Sequence, residues 1–157
     1  MGVAGSGKST LGAALAERLG RPFLEGDDYH PPANVAKMAS GTALADADRE
    51  GWIAALCAAA EAGPPAVVAC SALNPVVRGW IAARCRRPVR YVHLAVDRDT
   101  LRKRLEARDG HFMGAGMLEG QLAALDPPTE AIRLPGDLPL ALLVDRVVAE
   151  LGATSHD

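Results

Sequence analysis

The apolar residues of this chain follow two alternating patterns, one typical of helices and one of buried strands. Leu11, Leu15 and Leu19 recur at intervals of four, which predicts an amphipathic helix over about residues 10–19, closed by Gly20. Residues 66–70 form a continuous apolar run, as expected of a strand covered on both faces. Further helices are predicted over about 32–38, 48–62, 75–83, 98–108, 117–125 and 140–151, and further strands over 21–28, 89–96 and 131–134. This alternation predicts an α/β fold with a parallel sheet covered by helices on both faces.

Composition is that of a globular protein and leaves the functional class broad. A length of 157 residues without a repeat or linker predicts a single domain over residues 1–157. The net charge of −2 does not indicate a nucleic-acid or membrane-surface partner, and no apolar run approaches the roughly 18 residues that span a bilayer. Cys57, Cys70 and Cys85 lack C-x-x-C spacing, so we expect reduced thiols and a cytoplasmic protein.

The strongest chemical signal lies in residues 2–9, which match the phosphate-binding pattern G-x-x-x-x-G-K-[ST]. Glycines let backbone N–H groups close around a phosphate, and the helix that follows directs its positive end at the same anion. Lys8 would reach the β- and γ-phosphates of ATP, and the Ser9 hydroxyl would bind Mg²⁺. A chance glycine-rich turn is the alternative, and the helix that follows argues against it. The predicted nucleotide-binding residues are Gly2, Gly5, Ser6, Gly7, Lys8, Ser9 and Thr10.

The strand that normally leads into such a loop has no counterpart in the sequence, because only Met1 precedes Gly2. In this fold class that strand lies in the middle of the sheet, so we predict a P-loop NTPase fold lacking its first strand. The strands at 66–70 and 89–96 would then each lack a neighbour. We expect the 157-residue chain to be weakly stable or weakly active, and an upstream extension to restore it.

Polar side chains cluster where the predicted strands end, which is where ligands bind in parallel α/β sheets. Asp27, Asp28 and His30 lie at the end of the predicted strand over 21–28, and Asp97 follows the predicted strand over 89–96. A kinase needs a carboxylate to orient and deprotonate the acceptor hydroxyl, and cations for the transferring phosphoryl group.

A run of basic residues over 102–108 is a second candidate for the phosphoryl site, although such runs are usually solvated helix faces. Arg104 and Arg108 lie one helical turn apart and share a face. They precede a glycine-bearing segment, and we predict a lid over about 108–117 that closes on the nucleotide. Arg104 is therefore predicted to bind the nucleotide, and Arg108 to be catalytic.

Six linked motifs resemble those of gluconokinases of the P-loop small-molecule kinase type. Residues 24–31 resemble L-[DE]-G-D-x-x-H-P, and residues 34–38 resemble N-x-x-K-M. Residues 41–49 resemble G-x-P-L-x-D-x-D-R, with Trp52 following, and residues 70–73 match C-S-A-L. Residues 108–113 resemble R-x-x-H-F-M, and the stretch from Gln121 to Pro128 resembles the family's S-Q-x-x-x-L-E-x-P. The resemblance covers about residues 2–130.

This resemblance implies a nucleoside-monophosphate-kinase-like fold and transfer of the ATP γ-phosphate to the 6-hydroxyl of D-gluconate, with Mg²⁺ and a homodimer. Asp27 would orient and deprotonate the hydroxyl, although it could instead reach Mg²⁺ through water. ATP and gluconate are both anions, so further cations are needed. The predicted gluconate-binding residues are Asp27, His30, Lys37, Arg49, Arg78 and His111. His30 could alternatively only initiate a helix, and Lys37 could be a solvated lysine.

The sequence departs from the family pattern at one charged position. Asn74 stands where the family usually has Lys after C-S-A-L, which removes a cation from the substrate side. Two other functions therefore remain open. One is a different small-molecule kinase on the same fold, such as a shikimate-type kinase, and the other is a nucleotide-binding protein with impaired catalysis.

Overall fold

The computed structural model describes residues 1–107 and 115–153, and these form an alternating α/β structure. The strands are β1 (Phe23–Glu25), β2 (Val67–Ala69), β3 (Val92–Ala95) and β4 (Ile132–Pro135). The helices are α1 (Lys8–Leu19), α2 (Pro32–Ala39), α3 (Asp46–Ala62), α4 (Pro75–Arg84), α5 (Arg98–Glu106), α6 (Ala115–Ala124) and α7 (Leu140–Ala153), with a 3₁₀ helix at Gly26–Tyr29. None of the described helices is long and apolar enough to cross a membrane.

The strands pair in parallel, as the alternating pattern predicts. β1 pairs with β2, with Leu24 opposite Val68, and β3 pairs with β4, with Leu94 opposite Leu134. Parallel strands buried on both faces need continuous apolar sequences, and residues 66–70 supply one. Within each pair the two strands therefore end at the same edge.

Met1 and Gly2 lie between the two strand pairs and hydrogen-bond to both. The Gly2 N–H donates to the Ser71 carbonyl oxygen at 3.2 Å. On the other side, the Met1 carbonyl oxygen accepts from the Leu94 N–H at 3.2 Å, and the Met1 amino group donates to the Val92 carbonyl oxygen. Within the described residues, no strand runs between β2 and β3 beyond this bridge. Among the described residues, Met1 and Gly2 thus supply the backbone hydrogen bonds between the two pairs, at the point where the phosphate-binding pattern begins.

Helices cover both faces of the strands, and a separate apolar cluster fills each interface. α3 and α4 pack on one face around Ile53, Leu56 and Ile81. α1 and α7 pack on the other face around Leu15 and Val147. Side chains alternate across a strand, and accordingly Val68 joins the first cluster while its neighbour Val67 joins the second.

The predicted elements are all present, but several boundaries differ. β1 ends at Glu25, and Gly26, the next residue, packs directly on β2, where a Cβ would lie 2.4 Å from the Ala69 carbonyl oxygen. α3 begins at Asp46, two residues earlier than predicted, because the Asp48 carboxylate accepts from the Ala45 N–H and caps the helix.

Two helices extend beyond their predicted bounds. α7 continues through Gly152 to Ala153, past its predicted end at residue 151. α6 begins at Ala115, so the last part of the predicted lid, including Gly116, is helical. The rest of that segment, with Arg108 and His111, lies outside the described residues.

Candidate active site

The candidate site lies at the edge where the strands end, and Lys8 and Asp27 both approach it. Cys70 directly follows β2, and burial raises the pKa of its thiol to about 11. The positive charge of Lys8 acts to lower this pKa and the negative charge of Asp27 acts to raise it. Both charges therefore act on the same buried sulfur at the end of β2.

The phosphate side is built on the N-terminus of α1. Gly7 is the N-cap residue with a φ of 97°, a left-handed conformation that side-chain-bearing residues rarely adopt. Glycine offers no side-chain acceptor, so no capping side chain occupies the N–H groups of the first turn. The side chains of Ser9 and Thr10 are exposed. The positive end of the helix is thus open to an anion.

The lysine of this loop is held by the loop itself. The Lys8 Nζ donates to the Val3 carbonyl oxygen at 3.0 Å, and the Ser6 N–H donates to the same oxygen at 3.3 Å. The Ser6 side chain is buried, and its hydroxyl has no hydrogen-bond partner in the described part of the chain. A buried hydroxyl without a hydrogen-bond partner is energetically unfavourable, so the Ser6 hydroxyl is available to hydrogen-bond to a bound ligand or water molecule.

Arg104 braces the phosphate-binding loop from α5. Its guanidinium donates to the Gly136 carbonyl oxygen at 2.9 Å, and more weakly to the carbonyl oxygens of Gly5 and Ser6 at 3.4 and 3.5 Å. Gly136 follows β4, so one side chain ties the loop to the neighbouring strand end. Arg104 thus lies beside the phosphate-binding loop, and nucleotide binding by this residue stays a prediction.

The acceptor side begins with the 3₁₀ helix that carries Asp27 as an exposed side chain. Trp52, buried in α3, donates from its indole Nε1 to the Gly26 carbonyl oxygen at 2.7 Å. The ring of His30 stacks on the same indole, with centroids 4.2 Å apart and planes inclined by 16°. Trp52 therefore fixes the backbone before Asp27 and the imidazole after it.

Asn34 orients the same histidine from α2. Its buried amide Nδ2 donates to the Asp48 carbonyl oxygen at 2.9 Å and lies 3.4 Å from Nδ1 of His30. Because an amide nitrogen can only donate, Nδ1 acts as the acceptor and the neutral ring carries its proton on Nε2. Burial lowers the pKa of His30, although the charge of Asp27 opposes this. His30 is thus held as a neutral hydrogen-bond donor.

The structure places two predicted cations in ion pairs. The Lys37 ammonium lies 2.7 Å from both carboxylate oxygens of Asp48, which keeps the pKa of that carboxyl below its usual range. Arg49 pairs with Asp46 one turn earlier in α3, at 3.0 Å and largely exposed. A gluconate carboxylate would have to share these cations with Asp46 and Asp48.

Arg78 supports the loop after β2. It donates to the Ala72 carbonyl oxygen at 3.2 Å, and Ala72 has a φ of 44°, unusual for a non-glycine residue. Asn74 caps α4 by accepting from the Val77 N–H at 3.0 Å. The residue that departs from the family pattern therefore has a local structural role.

Sequence reasoning missed the residues that hold the site together. Trp52 and Asn34 lay inside recognised motifs, but only their three-dimensional contacts give them a role. Gln121 also lay in a motif, and its Oε1 accepts from the Ala4 N–H at 2.7 Å, 117 positions away. The only sequence signal for these three was a polar or aromatic residue at a fixed motif position.

Comparison with known proteins identifies the fold and the family. A family model described as an AAA domain matches residues 1–128. A gluconokinase of Gluconobacter oxydans (strain 621H) is 44% identical, over 87% of this chain and 80% of its own length. The crystal structure of a gluconokinase from Sinorhizobium meliloti 1021 superposes with a TM-score of 0.83 at 37% identity, covering 99% of this chain and 95% of that one. The unliganded structure of a sugar kinase from Janibacter sp. HTCC2649 gives a TM-score of 0.86 at 36% identity, covering 97% and 91%.

These relatives confirm the P-loop kinase fold that the alternating pattern and the glycine-rich loop predict. They also favour the gluconokinase resemblance over a shikimate-type kinase. With identity well above 30% over most of both chains, the protein belongs to the gluconokinase family of P-loop kinases.

Proposed function

We propose that this protein transfers the γ-phosphoryl group of ATP to the 6-hydroxyl of D-gluconate, giving ADP and 6-phospho-D-gluconate. The observation that carries the proposal is that the charges of Lys8 and Asp27 both act on the buried Cys70 thiol at the end of β2. This supplies a cation for the phosphates and a carboxylate for the hydroxyl within one site. The gluconokinase relatives support the choice of acceptor.

In this mechanism the phosphate-binding loop and Lys8 hold the ATP phosphates, with the first-turn N–H groups of α1 facing the anion. Phosphoryl transfer needs mostly positioning and charge stabilisation, which preorganised N–H groups and an ammonium supply. Asp27 accepts the proton of the 6-hydroxyl as its oxygen attacks the γ-phosphorus. The bond from phosphorus to the β,γ-bridging oxygen breaks, and ADP leaves.

The residues present fit a magnesium ion bound mainly by nucleotide. No cluster of three or more His, Cys, Asp or Glu side chains in the described residues could hold a metal alone. The exposed Ser9 hydroxyl, at the open N-terminus of α1, is the oxygen that would hold Mg²⁺ together with the phosphates. When bound, the ion neutralises charge on the β- and γ-phosphates.

For the acceptor side we propose His30, Lys37, Arg49 and Arg78 as the gluconate-binding residues, with neutral His30 donating from Nε2 to a substrate hydroxyl. Because Lys37 and Arg49 already hold carboxylates, they would bind gluconate as parts of ion-pair networks. Arg108 and His111 remain proposed for the phosphoryl group and the acceptor, respectively, and Arg104 for the nucleotide.

We also propose that the enzyme works as a homodimer in the cytoplasm. ATP is available there, and Cys57, Cys70 and Cys85, which are free thiols, would remain reduced.

The test is a coupled ADP-release assay with gluconate, shikimate and a panel of nucleosides as separate acceptors. We expect turnover with gluconate alone, and a phosphorus NMR signal of a phosphate monoester on C6. Preferential turnover of shikimate or a nucleoside would contradict the proposed acceptor and identify the protein as a kinase for that other substrate. Tight ATP binding without turnover of any acceptor would instead identify an impaired, nucleotide-binding protein.

A further inference from the structure

One peptide group of the phosphate-binding loop is fixed at both of its ends. The carbonyl oxygen of Val3 accepts from the Lys8 ammonium and from the Ser6 N–H. The N–H of the same peptide group, which belongs to Ala4, donates to Gln121 Oε1 at 2.7 Å. A peptide group is planar, so any rotation that displaces its N–H also displaces its carbonyl oxygen. The position of Gln121 and the position of the Lys8 ammonium are therefore mechanically linked.

Gln121 is itself anchored against this part of the site. It lies in α6, whose Leu118 is buried in a cluster with Val3, Leu101 and Leu105. At the C-terminal end of the helix, the Asp126 N–H donates to the Leu73 carbonyl oxygen at 2.8 Å. The helix thus presents a half-buried amide from a fixed base. Because the Ala4 N–H is a donor, the amide oxygen must be the atom that faces it.

From this geometry we propose that Gln121 is a positioning residue for Lys8. By accepting from Ala4 it fixes the Val3–Ala4 peptide plane, and the Val3 carbonyl oxygen then sets where the lysine ammonium stands before ATP binds. Gln121 does not touch the reacting atoms in this role. It acts on the phosphate side. The expected change in kcat rests on the proposed phosphoryl transfer, whereas the expected change in nucleotide binding does not.

Without Gln121 the Ala4 N–H loses its partner, and the peptide plane is held only through the hydrogen bonds at its carbonyl end. The Lys8 ammonium then spends less time where the β- and γ-phosphates require it. The effect should appear in nucleotide affinity and kcat. The proposed gluconate-binding residues Lys37, Arg49 and Arg78 lie on α2, α3 and α4 and should be unaffected.

The test compares Gln121→Met with the matched control Glu119→Gln. Methionine keeps the length and the helix propensity of glutamine but accepts no comparable hydrogen bond. Glu119 lies in the same helix and pairs with Arg98, remote from the loop contact. We expect Gln121→Met to lower kcat about tenfold and to weaken binding of the ATP analogue AMPPNP about three- to tenfold, since a lost hydrogen bond in a buried site has this order of effect. The KM for gluconate should stay within about twofold, and Glu119→Gln should change none of the three.

The Ala4 amide signal in ¹⁵N NMR gives a readout that a general loss of stability would not move. We expect its proton resonance to shift upfield in Gln121→Met and to return towards the wild-type position in Gln121→Glu, which again presents an acceptor oxygen. If kcat and AMPPNP affinity in Gln121→Met stay within twofold of wild type, or if Glu119→Gln loses as much, the proposal is overturned.

These readouts separate this proposal from the proposed function. If the wild-type chain does not phosphorylate gluconate, the assigned reaction fails, but AMPPNP binding and the Ala4 signal still decide the role of Gln121. If gluconate is phosphorylated and Gln121→Met behaves as wild type, only the positioning role fails.

Discussion

The two halves of the site are built in different ways. The phosphate side comes from one short segment, where Gly7 and the first turn of α1 create an anion site from backbone N–H groups. The acceptor side is assembled from the 3₁₀ helix, α2 and α3, through contacts of Trp52, Asn34 and Asp48. A backbone-built site tolerates changes of neighbouring side chains, whereas a network of side chains transmits each change to its members.

The two sides also differ in the partners of their positively charged side chains. On the phosphate side the Lys8 ammonium donates to an uncharged group, the carbonyl oxygen of Val3. On the acceptor side Lys37 and Arg49 each face a carboxylate. We therefore expect phosphate-side substitutions to act on catalysis directly, and acceptor-side substitutions to act through their partners.

The largest effect should come from Lys8→Ala. Removing the ammonium that faces the transferring phosphoryl group should lower kcat by about 10²–10³-fold or more, as loss of a transition-state cation or donor does. The fold should be retained, because the Lys8 side chain contributes charge and no core packing. Steady-state kinetics and thermal melting measure both expectations. Lys103→Ala, which removes an exposed lysine from α5, is the control, and near wild-type turnover in Lys8→Ala would exclude the kinase mechanism.

The next largest effect should come from Asp27→Asn. The amide keeps the shape of the carboxylate but cannot accept a proton, so kcat should fall on the order of 10²–10⁴-fold while ATP affinity changes little. Asp28→Asn removes the adjacent exposed carboxylate and should leave kcat within about threefold if Asp27 is the base. A small effect at position 27 together with a large one at position 28 would exchange the two roles.

A double-mutant cycle on Lys37 and Asp48 tests whether the acceptor side behaves as a network. Lys37→Met and Asp48→Asn should each raise the KM for gluconate. In the double variant the KM should rise by less than the product of the two single increases. A coupling of about 0.5–3 kcal/mol is expected for charged residues in contact. Gluconate kinetics for the four proteins provides the cycle. Additive effects would mean that Lys37 binds gluconate independently of Asp48.

The smallest effect concerns pH and His30. Burial lowers the pKa of His30, so the folded chain binds its proton less readily than the unfolded chain does. The free energy of unfolding should therefore be highest above the ordinary histidine pKa of about 6.5 and should fall as the pH drops through and below it. Urea unfolding at several pH values measures this dependence.

The matched variant His30→Gln should show a shallower decline towards acid. His93 is also buried with a lowered pKa and contributes to both proteins, so the difference between the two curves isolates His30. Parallel curves would mean that His30 titrates as a solvent-exposed histidine.

Local sequence determined the elements and the phosphate side. Three features depend only on neighbours within a few positions: the leucine spacing of α1, the apolar run of β2 and the glycine pattern of residues 2–9. Periodicity and glycine placement were therefore sufficient to predict them. The resemblance to gluconokinases added the family, which the comparisons confirm.

Tertiary structure alone decided how the side chains are partnered. The indole of Trp52 reaches Gly26 from 26 positions away, Lys37 meets Asp48 across 11, and Gln121 meets Ala4 across 117. Such contacts depend on how helices pack over the strands, which no local pattern specifies. Hence the sequence predicted which residues surround the site, whereas only the folded chain shows that two of its cations are already paired and that a distant glutamine holds the phosphate-binding loop.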